Sequence, residues 1–201
     1  MQIITLNISQ KSITKFLIKI RVNAMRLFIA VELPKAVRNE VGAALKELKM
    51  LSSGGRFVQE NNLPITLHFI GESNDLAGAV KAMQSAVRGI RPFELRPAGF
   101  SSFERSGSRT AFIEVGGNTG ELAILHESLQ TALADNGFAR EYRRFVPHIT
   151  LGRSVEFDEL VYAQLQETEF KTSFTASEIT LFESVKEKGK LVYNPLHREK
   201  L

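Results

Sequence analysis

Two side chains capable of acid–base and phosphate chemistry lie two residues apart in Phe145-Val146-Pro147-His148-Ile149-Thr150-Leu151-Gly152-Arg153. The stretch carries β-branched and aromatic residues, a proline suited to opening a strand and a glycine suited to closing one. A short β-strand is therefore expected. Side chains alternate along a strand, so His148 and Thr150 share one face while Ile149 and Leu151 take the other. An imidazole beside a hydroxyl, backed by an apolar face, can hold a phosphate and move a proton. The same residues would also suit a hydrogen-bonded core histidine beside an ordinary strand threonine. An earlier, imperfect copy favours chemistry: Pro64-Ile65-Thr66-Leu67 aligns with His148-Ile149-Thr150-Leu151.

Each copy needs elements that carry it to the other. Met25-Arg26-Leu27-Phe28-Ile29-Ala30-Val31 reads as a first, largely buried strand. Pro34 opens a helix whose stripe of Val37, Val41, Ala44, Leu45, Leu48 and Met50-Leu51 stops at Gly54-Gly55. Residues 56–58 form a short strand or extended link, 61–71 a strand ending at Gly71, and 76–88 a helix. Strands are expected near 93–103 and 109–115, joined by a turn over 104–108. In a helix over 121–135, Leu122, Leu125, Leu129 and Leu133 line one side, and Asn136-Gly137 ends it. His126 within it reads as a surface or interhelical residue. A short helix near 158–165 and strands near 173–183 and 190–196 complete the chain, with a charged hairpin tip over 186–190. The expected fold is α+β: two pseudo-symmetric lobes of antiparallel sheet with helices outside, each giving one motif strand to a central cleft.

Composition narrows the chemistry. The 201 residues suffice for one domain with a real core or two small lobes. No cysteine is present, which removes thiolate chemistry, disulfides and Cys-based zinc sites. An oxidising compartment is not demanded, and a cytoplasmic monomer is expected. His68, His126, His148 and His197 show no metal-ligand spacing, so no metal and no cofactor are expected. The net charge of +4 comes from residues 1–24, which hold Lys11, Lys15, Lys19 and Arg21 and no acid. Beyond them 22 basic residues balance 22 acidic ones, so the body is no polycation for duplex nucleic acid. Ile13, Phe16, Leu17 and Ile20 fall at helical spacing among those lysines. Residues 1–24 thus read as an extension outside the fold, with a targeting arm or a membrane-surface helix as alternatives. Stable membrane association is not expected. Residues 25–201 form a single bilobal domain.

The repeated His-x-Thr-x pattern resembles the RNA 2′,3′-cyclic phosphodiesterases, also called 2′-5′ RNA ligases, of the two-histidine phosphoesterase superfamily. The likeness runs from Met25 to about Leu196 and takes in four stretches in order. They are Arg26-Leu27-Phe28-Ile29-Ala30-Val31 with Leu33-Pro34, Asn62 through Glu72, Arg143 through Arg153, and Leu181-Phe182-Glu183-Ser184 with Tyr193-Asn194-Pro195-Leu196. It implies two imidazoles facing each other across the phosphorus, the first-motif histidine as acid and the second as base, with a 2′-phosphate as product. Here Pro64 stands where the first histidine belongs, by natural loss or introduced change, so the implied proton donor is missing while His148, the implied base, remains. Thr66 and Thr150 are implied to hold the non-bridging oxygens, and Arg153 to contact phosphate or RNA backbone. Arg143 and Arg144 would line the cleft mouth, and Phe57 would stack on a nucleobase or join the core. His68 shares the face of Pro64 and Thr66 by alternation, but about 13 Å along an extended strand. The expected partners are RNA 3′ ends or cyclic nucleotides. Two readings follow: a metal-independent phosphodiesterase impaired by Pro64, or a catalytically weak or inactive nucleotide-binding module.

Overall fold

A computed structural model describes residues 24–105 and 108–201. The readings placed on residues 1–23 and on the tip at 106–107 lie outside the described residues. β1 (Met25–Val31) enters the core at once, with Leu27, Ile29 and Val31 at most 1% exposed. α1 (Lys35–Leu51) buries Val37, Val41, Ala44, Leu45 and Leu48 of the expected stripe, but Met50 is 78% exposed, because a residue two beyond Leu48 lies on the far side of the helix. It ends earlier than Gly54-Gly55, where the Ser52 hydroxyl and amide both donate to the Leu48 carbonyl. The two glycines instead belong to β2 (Gly54–Phe57).

β3 (Ile65–Ser73) and α2 (Leu76–Ala86) complete the first half, and Asp75 caps α2 by accepting from the Gly78 amide at 2.8 Å. The second half holds β4 (Phe93–Arg105), β5 (Ser108–Gly117), α3 (Thr119–Asp135), β6 (His148–Glu156) and α4 (Glu159–Gln166). Leu122, Leu125, Leu129 and Leu133 of α3 are fully buried. The unit β1–α1–β3 followed by α2 thus recurs as β5–α3–β6 followed by α4.

The run expected as one strand near 173–183 is split. β7 (Phe174–Ala176) pairs with β4, whereas β8 (Glu178–Glu187) crosses to lie between β1 and β9 (Lys190–Lys200). The residues reaching the main core change from Phe174 and Ala176 to Ile179 and Leu181. That step breaks the two-residue period, so one continuous strand could not bury both pairs on one face.

The sheet orders are β3-β1-β8-β9 and β2-β6-β5-β4-β7, antiparallel throughout. One hydrophobic core runs between these sheets and the helices, with residues of β1, β5, β6, α1, α2 and α3 in a single cluster. On the opposite face of the first sheet, Phe28, Ala30 and Phe182 form a small separate cluster with Tyr193.

Candidate active site

The ladder registers contain a repeat finer than the sequence motif. On β3, Thr66, His68, Phe69 and Gly71 pair with Ala30, Ile29, Phe28 and Leu27, leaving Leu67 and Ile70 as the extra residues of two β-bulges. On β6, Thr150, Gly152, Arg153 and Val155 pair with Phe112, Ala111, Thr110 and Arg109, leaving Leu151 and Ser154 as the extra residues. Each threonine is followed by bulges at the same two offsets. Backbone geometry therefore aligns Pro64 with His148 without reference to side-chain type. Ser154 holds the second bulge of β6 with a left-handed φ of 52°, and the Arg56 guanidinium donates to its hydroxyl at 3.1 Å.

A bulge reverses the alternation of faces. On β6 the one at Leu151 turns Gly152 inward and brings exposed Arg153 onto the face of His148 and Thr150. On β3 the one at Leu67 turns His68 into the helix layer, 1% exposed, while Phe69 at 49% takes the outer side. The expectation that His68 shares the face of Pro64 and Thr66 is overturned, because simple alternation does not survive the bulge. His68 cannot replace a histidine at position 64.

Behind the sheet His68 meets α3. His126, expected at a surface or between helices, is 8% exposed and stacks on Phe145 with ring centroids 4.0 Å apart. The Gln130 amide lies 3.3 Å from His126 Nε2, and its oxygen accepts the Glu141 N–H at 3.1 Å. Burial pushes both imidazoles below the ordinary 6.5, and for His68 the nearby Glu141 charge only partly opposes this. An unfolded chain therefore takes up protons near pH 6.5 that the folded chain refuses. This contribution to stability is present above that pH and is lost as pH falls toward the folded values. Each histidine gives a slope of up to about 1.4 kcal/mol per pH unit. The thermal unfolding midpoint is expected to drop between about pH 7.5 and 5.5; a midpoint unchanged over that range would contradict this account.

On the front face, His148 opens β6 directly after Pro147, and its Nδ1 lies 2.7 Å from the Val146 carbonyl. That nitrogen carries the proton and donates, which leaves Nε2 free to accept one. Burial lowers the imidazole pKa, the Val146 bond raises it and the Arg153 charge lowers it, with a net downward direction. His148 is thus neutral at neutral pH, the form a base requires. Its ring stands 5.3 Å from those of both Phe103 and Phe112, which stack on each other at 4.1 Å. Gly152 does not close the strand, which continues through both bulges to Glu156.

The two motif strands are neighbours. β3 and β6 approach with Cα atoms within 8 Å, although they belong to different sheets. The link between β2 and β3 fastens the lobes: the Val58 amide donates to the Leu151 carbonyl at 2.9 Å. Gln59 and Asn62 side chains both donate to the Leu191 carbonyl, at 2.9 and 2.7 Å. Pro64 lines a pocket of about 170 Å³ with Glu32, Arg38, Asn61, Phe182 and Tyr193. The Arg153 charge acts on both His148 of the second lobe and Tyr193 of the first.

Thr66 and Thr150 are each half-buried on their strands. Arg143 and Arg144 border, with Arg140, a separate groove over His126 and Phe145, not the pocket of Pro64. Phe57 pairs with inward-facing Gly152 and packs against the core beside Val155, off the cleft face. The exposed aromatic beside His148 is instead Phe103, which nothing in the sequence distinguishes from an ordinary strand residue. Among the described residues, no group of three or more His, Asp or Glu is placed to hold a metal ion. Nor is any helix there long and apolar enough to cross a membrane.

The family model described as the 2′-5′ RNA ligase superfamily matches residues 33–188. The chain belongs to that superfamily. Among curated superfamily relatives, the RNA 2′,3′-cyclic phosphodiesterase of Thermotoga maritima is 34% identical over 131 residues, covering 64% of this chain and 70% of the relative. That of Archaeoglobus fulgidus is 37% identical, with 64% and 72% covered, and that of Escherichia coli 28%, with 86% and 94% covered. Apo E. coli LigT superposes with a TM-score of 0.68 at 26% identity, covering 89% of this chain and 98% of its own. Thermus thermophilus TT0787 reaches 0.73 at 24% identity, with 88% and 98% covered, and shares the fold. E. coli LigT has also been solved with 3′-AMP, phosphate and ATP.

Proposed function

We propose that this superfamily member is an RNA 2′,3′-cyclic phosphodiesterase that opens cyclic phosphate ends to 2′-phosphates without metal, at a rate reduced by Pro64. The matched double-bulged strands support this reading: β3 and β6 approach within 8 Å, and on β6 the bulge puts Arg153 on the face of His148 and Thr150. His148 Nε2 takes a proton from the attacking water. The new P–O bond forms as the bond to O3′ breaks, and O3′ leaves with a proton. Thr66, Thr150 and Arg153 hold the non-bridging oxygens and stabilise their charge. Phe103, flanking His148, replaces Phe57 as the residue proposed to stack on a base. Arg143 and Arg144 are proposed to meet the phosphates of the RNA strand outside the cleft.

The proposed working unit is one chain, because both motif strands come from it, and the proposed setting is the cytoplasm. The alternative, a nucleotide-binding module without turnover, is favoured by one observation: the proline at position 64. Assay of a ribonucleoside 2′,3′-cyclic phosphate with EDTA present separates the two. Slow, steady release of the 2′-phosphate is expected. Saturable nucleotide binding with no product would select the binding module, and neither binding nor product would remove both.

A further inference from the structure

A chain that lacks the first-motif histidine still needs a proton for the departing oxygen. Of the four histidines, only His148 takes the outer face of its sheet: His68 and His126 are buried behind the first sheet, and His197 pairs with Glu199 beside inward-facing Leu181. The pocket against Pro64 contains few proton-bearing groups. Glu32 is already engaged, held by the Arg198 guanidinium at 2.9 Å and the Thr180 hydroxyl at 2.8 Å. The Arg38 guanidinium does not give up its proton, and the Asn61 amide is no acid. Tyr193 remains.

Its ring stands edge-on to Phe28 at 4.7 Å and reaches from β9 over β8 toward β1, onto the side occupied by Pro64. It is half-buried, and the guanidiniums of Arg153 and Arg26 lie within electrostatic reach. Burial outweighs those charges and raises its pKa, so the phenol keeps its proton at neutral pH.

We propose that Tyr193 supplies the leaving-group proton that an imidazole at position 64 would otherwise give. This rests on the phosphodiesterase reading above. Water attacks phosphorus and passes a proton to His148 Nε2. The bond from phosphorus to O3′ breaks, and the Tyr193 hydroxyl proton goes to O3′. The phenolate then recovers a proton from the imidazolium through solvent, so both groups end as they began.

The test places Tyr193→Phe in the parent chain and in a Pro64→His chain, each assayed on a ribonucleoside 2′,3′-cyclic phosphate. In the parent chain kcat should fall by about tenfold or more with KM little changed. In the Pro64→His chain the same substitution should cost less than about threefold, because the imidazole supplies the proton. Equal losses in both backgrounds, or no loss in the parent, would overturn the proposal. So would a parent chain with no turnover beside an active Pro64→His chain. Replacing the three tyrosines by fluorotyrosine tests the same point without removing the ring. The more acidic phenol should raise parent turnover and leave the Pro64→His chain unchanged, and an unchanged parent rate again counts against it. His148→Ala separates the layers. If it leaves turnover intact, the phosphodiesterase reading fails; if it removes turnover and Tyr193→Phe does not, only the role of Tyr193 fails.

Discussion

A His148→Ala chain is expected to hydrolyse a ribonucleoside 2′,3′-cyclic phosphate roughly 10²–10⁴-fold more slowly than the parent, with binding largely retained. The loss should fall on kcat, because Thr66, Thr150 and Arg153 still hold the phosphate while nothing accepts the water proton. The pH profile provides a second readout. His148 works only when neutral, so activity is lost as pH falls through its folded-state pKa. Burial and the Arg153 charge place that pKa below the ordinary 6.5, so the acidic limb of kcat/KM should lie below it. Removing one of those causes gives the sign: Arg153→Gln should move the limb upward in pH while also weakening phosphate binding. An acidic limb that stays put, or a His148→Ala chain with parental turnover, would remove His148 from the mechanism.

The groups proposed to react are legible in the sequence because residue type and two-residue spacing are local properties. Thr66, Thr150 and His148 repeat a short pattern, and an imidazole beside a hydroxyl is chemically uncommon enough to notice. The bulges were not legible. Leu67-His68 and Leu151-Gly152 continue an ordinary strand sequence, and the extra residue exists only relative to the partner strand. One register step, invisible in the sequence, therefore sends His68 to the other face and brings Arg153 onto the face of His148. Phe57 and Phe103 illustrate the same limit. Each is a phenylalanine in a strand, and only the pairing of Phe57 with Gly152, and the place of Phe103 beside His148, decides which one meets the cleft. Tyr193 was visible as a residue near the end of the chain. Its position beside Pro64 depends on β8 crossing between sheets, which the broken period at Ser177 foreshadows but does not specify.

Pro64→His should raise turnover of the cyclic substrate about 10²–10⁴-fold, toward the lower end if Tyr193 already donates a proton. A phenol whose pKa stands above its usual value is a poorer acid near neutrality than an imidazolium, so restoring the histidine remains a gain. The scaffold accepts the change. β3 begins at Ile65, so the missing proline N–H leaves no ladder bond unmade, and the histidine N–H introduces no buried orphan at a strand opening. The adjoining pocket of about 170 Å³ has room for an imidazole, and Thr66 already sits where Thr150 sits relative to His148. Loss of the proline restraint on the unfolded chain should cost only about 0.4–1 kcal/mol. A modest fall in thermal midpoint accompanied by a large rise in kcat is the expected pair. A stable Pro64→His chain with parental turnover would mean that position 64 does not face His148 across the phosphorus. The matched bulges of β3 and β6 would then be a relic of duplication with no bearing on chemistry.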